Sequence, residues 1–336
     1  MTAVADAGTA VIRCRDGDHT LALTDRELTA ERLIGASRKH SFDPDVDVDW
    51  DAPPAAGLLY APPEVVSLYE TPLWDLLTDD QRVELTKQET ASLASFGIWS
   101  ELLLMQILVQ HSYRNRYDSS HVAYALTELA DECRHSVMFG RMVRTFGLRT
   151  HRPRAPEFHL LKVLGAIHDP MLMFAAALVI EEFTDAIQRI TFPDERIQPL
   201  VRQVSRIHVI EEARHIRYAR EELKRQVAAS SATRRKLTAT RLAWGMSAII
   251  VRNIMHPSGY AAAGLDPEVA RREAAASPHR RAVLQWASRK SMAAFDEVGF
   301  LDGRARTIWQ RAGFLPRGGE PGGGRAPGTA QLASSR

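Results

Sequence analysis

Cysteine is scarce in this chain: its 336 residues hold two, Cys14 and Cys133. Neither belongs to a Cys-x-x-Cys pair, which argues against a zinc ribbon or a disulfide framework. Such sparing use suits a reducing compartment, so the expected location is cytoplasmic. No charge of one sign dominates either. With 43 basic and 41 acidic residues the net charge is +2, which leaves no electrostatic ground for a nucleic-acid or anionic-membrane partner. Long apolar runs are missing. The longest, Met171 to Ile180, stops at Glu181 and Glu182 and is far short of a membrane span. The first twenty residues lack the basic-then-apolar order of a secretory signal, so the chain is expected to be soluble.

Two further absences organise the chain. No alternation of apolar and polar residues is long enough to build a sheet. No proline occurs between Pro72 and Pro153, and long segments rich in Ala, Leu, Glu, Gln and Arg fill that space. The expected fold class is therefore all-α. Residues 1–77 are read as an N-terminal extended strap with some local helix near Thr24 to Ser37. The strap carries Pro44, Pro53, Pro54, Pro62, Pro63 and Pro72, and each proline removes a backbone donor and restricts its predecessor. Trp50 and Trp74 are its expected anchors. The alternating Asp45, Asp47, Asp49 and Asp51 resemble a calcium loop, but Trp50 stands where the EF-hand requires glycine. Residues 78–315 form the helical domain, with helices expected at 79–112, 118–147, 168–191 and 196–229, then at 233–255, 266–275, 278–298 and 303–313. Thr78 followed by two Asp and Gln81 predicts the N-cap of the first, and Gly147 suits the end of the second. The Gly- and Pro-rich residues 316–336 are read as a disordered tail.

What is present is a repeat. Asp131-Glu132-Cys133-Arg134-His135 and Glu211-Glu212-Ala213-Arg214-His215 each contain Glu-x-x-His, which puts both side chains on one helix face a turn apart. Glu101 precedes Glu132 by 31 residues, and Glu181 precedes Glu212 by the same 31. Both lie in strongly apolar helix, where a carboxylate is costly unless paired or bound to metal. Two such Glu plus two Glu-x-x-His motifs make up the ligand set of ferritin-like di-iron and di-manganese bundles. Four carboxylates and two divalent cations are neutral together, so the site can be buried. Glu182 adjoins Glu181 and competes with it, though the equal offset favours Glu181. Asp131, Glu211, Arg134 and Arg214 are candidates to support the ligands from behind, because a metal-bound imidazole usually donates its other N–H to an acceptor; a surface ion pair is the plainer reading. His208 shares the face of Glu212 and His215 and is read as a third histidine ligand. Glu128 holds the equivalent place before Glu132 as a supporting group, an alternate ligand or a simple helix acid.

With His208 the set is four Glu and three His. The chain resembles the p-aminobenzoate N-oxygenase family of ferritin-like di-iron oxygenases over about Asp45 to Phe314. The match is carried by Glu101, by Asp-Glu-x-x-His at 131–135, by Glu181 and by His-x-x-x-Glu-x-x-His at 208–215. Arg134 and Arg214 are also similar to those of bacterial hydrocarbon monooxygenases. The resemblance implies a ferritin-like four-helix bundle with additional C-terminal helices, two Fe ions (Mn possible), O2 as co-substrate, an amine substrate, an external reductase or ferredoxin, and a homodimer. The implied activity is O2-dependent N-oxygenation of an arylamine-type compound to a hydroxylamine, nitroso or nitro product. A C–H hydroxylase or desaturase is the alternative, with iron storage further behind. A manganese catalase or radical-generating subunit would need a tyrosine at the metals, and neither Tyr113 nor Tyr124 is evidently on the ligand face.

Overall fold

The computed structural model describes residues 9–13, 20–153, 155, 156, 159, 169–253 and 255–317. The four expected central helices are present as α4 (Asp79–Tyr113), α5 (Ser120–Thr145), α6 (Pro170–Thr191) and α7 (Pro199–Ala228). They pack as two hairpins, α4 on α5 and α6 on α7, which close on each other through α5–α7 and α4–α6 contacts. This is the ferritin-like arrangement, and it sets the ligand-bearing faces of all four helices toward one another. The α6 sequence explains its central place. Its residues are buried on nearly all sides, as expected of a helix that is apolar all round. Gly97 lets α4 approach α5, since a Cβ there would stand 3.1 Å from the Phe139 ring.

Local chemistry marks the ends. Thr78 and Gln81 form the capping box at the start of α4, and Gly147 follows α5 in the left-handed region at φ +74°. Pro170 and Pro199 open α6 and α7 at the position where a missing N–H costs nothing. The α7 start falls three residues later than the sequence pattern predicts, for a tertiary reason. The strap pairs with it: Leu59 N donates to Arg196 O and Gln198 N to Leu59 O, and the Gln198 amide bonds Ala55 and Leu58. These contacts hold 197–198 against the strap and out of the helix.

The N-terminal region departs most from expectation. Thr9–Arg13 (β1) and Thr20–Thr24 (β2) form an antiparallel hairpin with Thr9 opposite Thr24. Five-residue strands are too short to give a periodic signal, and Leu21 is buried only because β2 lies on the bundle. Then come α1 (Arg26–Lys39), the short α2 (Pro44–Asp47), a 3-10 turn at Pro63–Val65 and α3 (Pro72–Leu76). Trp50 and Trp74 are both buried, and the Arg141 guanidinium lies 4.4 Å from the Trp50 ring centre.

After α7 the chain adds α8 (Ala232–Asn253), α9 (Pro257–Ala262), α10 (Pro267–Ala276), α11 (Pro278–Glu297) and α12 (Gly303–Ala312). Of these, α8 and α11 pack against α6. α9 escapes sequence recognition because it is a single stretch of six residues between prolines. Cys133 is exposed and free, while Cys14 and the tail from 318 lie outside the described residues. Among the described residues one helix, α4, is long and apolar enough to cross a membrane by composition. More than half of that stretch is buried against the other bundle helices, and it carries Glu101 into the centre.

Candidate metal centre

The repeat Glu-x-x-His folds as its spacing demands. Glu132 and His135 share one face of α5, Glu212 and His215 one face of α7, and the two faces oppose each other. Ligand atoms of these four residues lie within 4.8 Å of one another. The same limit joins Glu101 with His135 and His208, and Glu181 with His208 and Glu212. All seven side chains singled out from the sequence therefore meet in one buried cluster. Glu212 is its hub. Its Oε1 lies 3.0 Å from His215 Nδ1, 3.5 Å from His135 Nδ1 and 3.6 Å from His208 Nε2. Glu132 reaches His135 Nδ1 at 3.1 Å with one oxygen and His215 Nδ1 at 2.8 Å with the other.

Glu181, not Glu182, faces the cluster. Glu182 turns away to Arg220. Of the remaining candidates, Asp131, Glu211 and Arg214 are buried and Arg134 is half-buried. They are not a surface ion pair; they cross between the helices. Glu211 of α7 accepts from His135 Nε2 of α5 at 2.9 Å, and Asp131 of α5 accepts from His215 Nε2 of α7 at 3.2 Å. Each motif's leading acid thus fixes the imidazole of the other motif with Nδ1 turned inward. Arg134 pairs with Asp131, Arg214 lies 3.4 Å from Asp131, and both guanidiniums lie 3.8 Å from Glu211.

His208 differs. It presents Nε2 to the cluster, 3.4 Å from Glu101, while its Nδ1 meets Gln188 Oε1 at 2.6 Å. Burial pushes its pKa down to about 4, so it is neutral, with the Nδ1 proton donated to the amide and the Nε2 lone pair free. Gln188 was not among the sequence candidates. The available signal was its spacing of seven from Glu181, which places it on the same face of α6. Tyr124 is placed by the structure outside the groups that meet within ligand distance. It is fully buried, packs edge-on against Tyr218 at 4.9 Å, and lies a turn from Glu128 on the ligand stripe of α5. Tyr113 is 73% exposed and off that face. Glu128 is buried with one oxygen lacking a hydrogen bond, outside the groups that meet within ligand distance.

The electrostatics describe a site short of positive charge. Burial, with the neighbouring carboxylates Glu132 and Glu212, holds the Glu101 carboxyl well above its ordinary range. Burial and the charges of Glu212 and Glu101 do the same at Glu181. At Glu132 burial also opposes ionisation, but His215 and His135 overcome it and the pKa is lowered. Burial opposes a charged His135, yet hydrogen bonds to Glu132 and Glu211 raise it to about 9. Protons on imidazole nitrogens are compensating carboxylates that a cation would compensate better. Glu101 Oε2 and Glu212 Oε2 are buried without a hydrogen-bond partner, an arrangement costly enough to need an explanation. Two divalent ions supply one, and mixed carboxylate–imidazole donors suit iron or manganese.

A narrow cavity reaches the cluster between α4, α5, α6 and α7. It starts below Tyr60 and Ala61 of the strap and ends at Glu101 and His208, with Ile180, Gln188 and Val204 among its walls.

The family model described as P-aminobenzoate N-oxygenase AurF matches residues 23–299. Uncharacterized proteins of Mycobacterium tuberculosis and Mycobacterium bovis are each 28% identical over 209 residues, 58% of this chain and 59% of theirs. The chain thus matches under two thirds of the length of these relatives. Among solved structures, the R2-like ligand-binding oxidase with aerobically reconstituted metal cofactor after photoconversion is 13% identical. That alignment covers 82% of this chain and 93% of the oxidase, with a TM-score of 0.46. A variant of that oxidase with an anaerobically reconstituted Mn/Fe cofactor gives 13% identity, 82% and 94% coverage and a TM-score of 0.47.

Proposed function

The chain belongs to the p-aminobenzoate N-oxygenase AurF family, and on that premise we propose that it is an O2-dependent di-iron oxygenase that N-oxygenates an arylamine-type substrate. The observation that carries this reading is His208. It adds a third imidazole to four glutamates at one end of the cluster, and that end faces the cavity. Two bound iron ions would supply the reductive activation of O2 and transfer of oxygen to the substrate nitrogen; manganese in one or both positions suits the same donors.

The protein's own groups divide the work. Glu132 and Glu212, each close to two or more imidazoles, bridge the two halves of the site. His135 and His215 would hold metal from their inward Nδ1 while their Nε2 protons stay on Glu211 and Asp131, so neither ring can rotate without losing a buried charge-assisted hydrogen bond. Glu101 and Glu181 would complete the site from α4 and α6. His208 would add its Nε2, with the ring oriented by Gln188. Apolar walls around the cavity exclude bulk water, which strengthens these interactions and limits side reactions. Electrons come from a separate reductase or ferredoxin, and the working unit is a homodimer.

Anaerobic loading with ferrous iron, metal counting and mixing with O2 in the presence of an arylamine test this reading. Two irons per chain and an N-oxygenated product are expected. Two irons with a C-hydroxylated or desaturated product would replace N-oxygenation by the alternative chemistry. One iron or none would remove the two-metal site itself.

A further inference from the structure

The cavity is asymmetric in what it offers a substrate. Its inner end is Glu101 and His208. Along the rest of its length the walls are largely apolar, with Phe139, Met142, Ile187 and Val201 prominent. No lysine or arginine lines it among the described residues. Several hydroxyls face it, but most are already committed. Thr90 donates to Tyr60 O, Thr184 to the carbonyls of Ile180 and Glu181, and Thr191 to Ile187 O.

Gln188 is different because it has two ends. Its Oε1 is occupied by His208 Nδ1. Its Nε2 makes no hydrogen bond to any described residue, and the side chain lines the cavity. The amide oxygen is the atom that meets His208 Nδ1, at 2.6 Å, so the NH2 group faces away from the ring. Ser205, one turn before His208 on α7, lines the same stretch and likewise has no partner among the described residues. Gln188 stands seven residues beyond Glu181, about 10 Å along the helix axis. Its side-chain amide reaches back to His208, so the amide stands one imidazole ring away from the cluster.

We propose that the cavity selects an uncharged arylamine that carries a hydrogen-bond acceptor held by the Gln188 side-chain amide, in preference to an aminobenzoic acid. This rests on the N-oxygenase reading and narrows its substrate class. A carboxylate taken into these walls would lose its hydration without meeting a cation, and only neutral donors would compensate it. A carbonyl, ester, ether or nitro oxygen loses little and gains a donor that faces the cavity. Gln188 therefore serves twice, as a positioning residue for His208 and as a specificity-determining contact for the substrate.

The test is a pair of probes with nearly the same shape, p-aminobenzamide and p-aminobenzoate, bound to the metal-loaded full chain under anaerobic conditions near pH 7.5. Affinity is measured by calorimetry, so the result does not depend on turnover. The amide is expected to bind at least ~10-fold more tightly than the acid, a difference of about 1.4 kcal/mol. Gln188→Leu should remove most of that affinity, and Ser205→Ala a smaller part. Thr191→Arg, which adds the missing cation, should invert the preference. Equal or tighter binding of the acid by the wild-type chain overturns the proposal, as does failure of both probes to bind. Amide preference without N-oxygenated product keeps this inference and removes the N-oxygenase reading; N-oxygenation with acid preference does the reverse.

Discussion

Two buried polar clusters sit on the same pair of helices, and they are built on opposite principles. Around Glu212, three imidazoles and four carboxylates converge, and Oε2 of Glu101 and Oε2 of Glu212 still lack hydrogen-bond partners. Nearly three turns further along α7, Glu222 is just as buried, yet Arg26 grips both of its oxygens at 2.8 and 2.7 Å. Arg26 also meets His111 at 3.2 Å, and Tyr218 meets His111 at 3.3 Å. The second cluster is closed within the protein and ties α1 to the bundle. The first is closed only by something the protein does not supply. The difference between a structural and a functional polar core lies in whether the last charges are balanced from within.

Removing a group from each side tests this contrast. The largest effect is expected at the hub. Glu212→Ala should cut bound metal from two ions per chain to one or none and abolish oxygenation, with metal counting as the readout. Arg26→Ala should leave metal content intact and destabilise the fold by about 3 kcal/mol, because Glu222 becomes a buried charge without its partner; chemical denaturation measures it. Equal metal loss in both variants would erase the distinction.

A third buried acid, Glu89 of α4, sharpens it. It is held by neutral donors, Ser67 N at 3.0 Å and Ser67 Oγ at 2.5 Å. Burial pushes its pKa up to about 7 from an ordinary 4.5 despite those bonds. Below pH 4.5 folded and unfolded chains both carry the proton. As pH rises through 7 the unfolded chain has released it while the folded chain resists, so stability is lost across that window. Glu89→Gln should therefore be more stable than wild type at pH 8 by up to about 3 kcal/mol, with the gain vanishing near pH 4.5. Denaturant melts at the two pH values provide the check. The smallest effect is expected for Asp131→Asn, which keeps shape but weakens the hold on His215. It should lower metal affinity by roughly 10–100-fold without unfolding the chain, as read by competition with a chelator. Loss of His135-side metal alone would instead show that Asp131 acts on His135 and not on His215.

Much of this was legible beforehand because helices and ligand motifs are both local in sequence. The boundaries of α4, α5 and α6 follow from Thr78, Gly147 and Pro170, each acting on its own turn. The seven ligand candidates were visible because an i, i+3 pair shares a face wherever a helix forms, and because Glu101 and Glu181 are conspicuous in apolar helix. Three features were not legible for the same reason inverted. The β1–β2 hairpin depends on the bundle surface that covers Leu21. The start of α7 depends on Leu59, more than a hundred residues away. Gln188 looks like any helix glutamine until His208 is placed beside it.

The sequence by itself determined an all-helical chain, the residues able to hold two metals, and which faces of four helices had to meet, since buried carboxylates and imidazoles at fixed helical spacing leave no other low-energy arrangement. Only the tertiary structure decided who serves whom across helices: Glu211 for His135, Asp131 for His215, Gln188 for His208. Hydrogen bonds depend on distances of a few tenths of an ångström, and those are set by how the helices pack, not by the order of residues along any one of them.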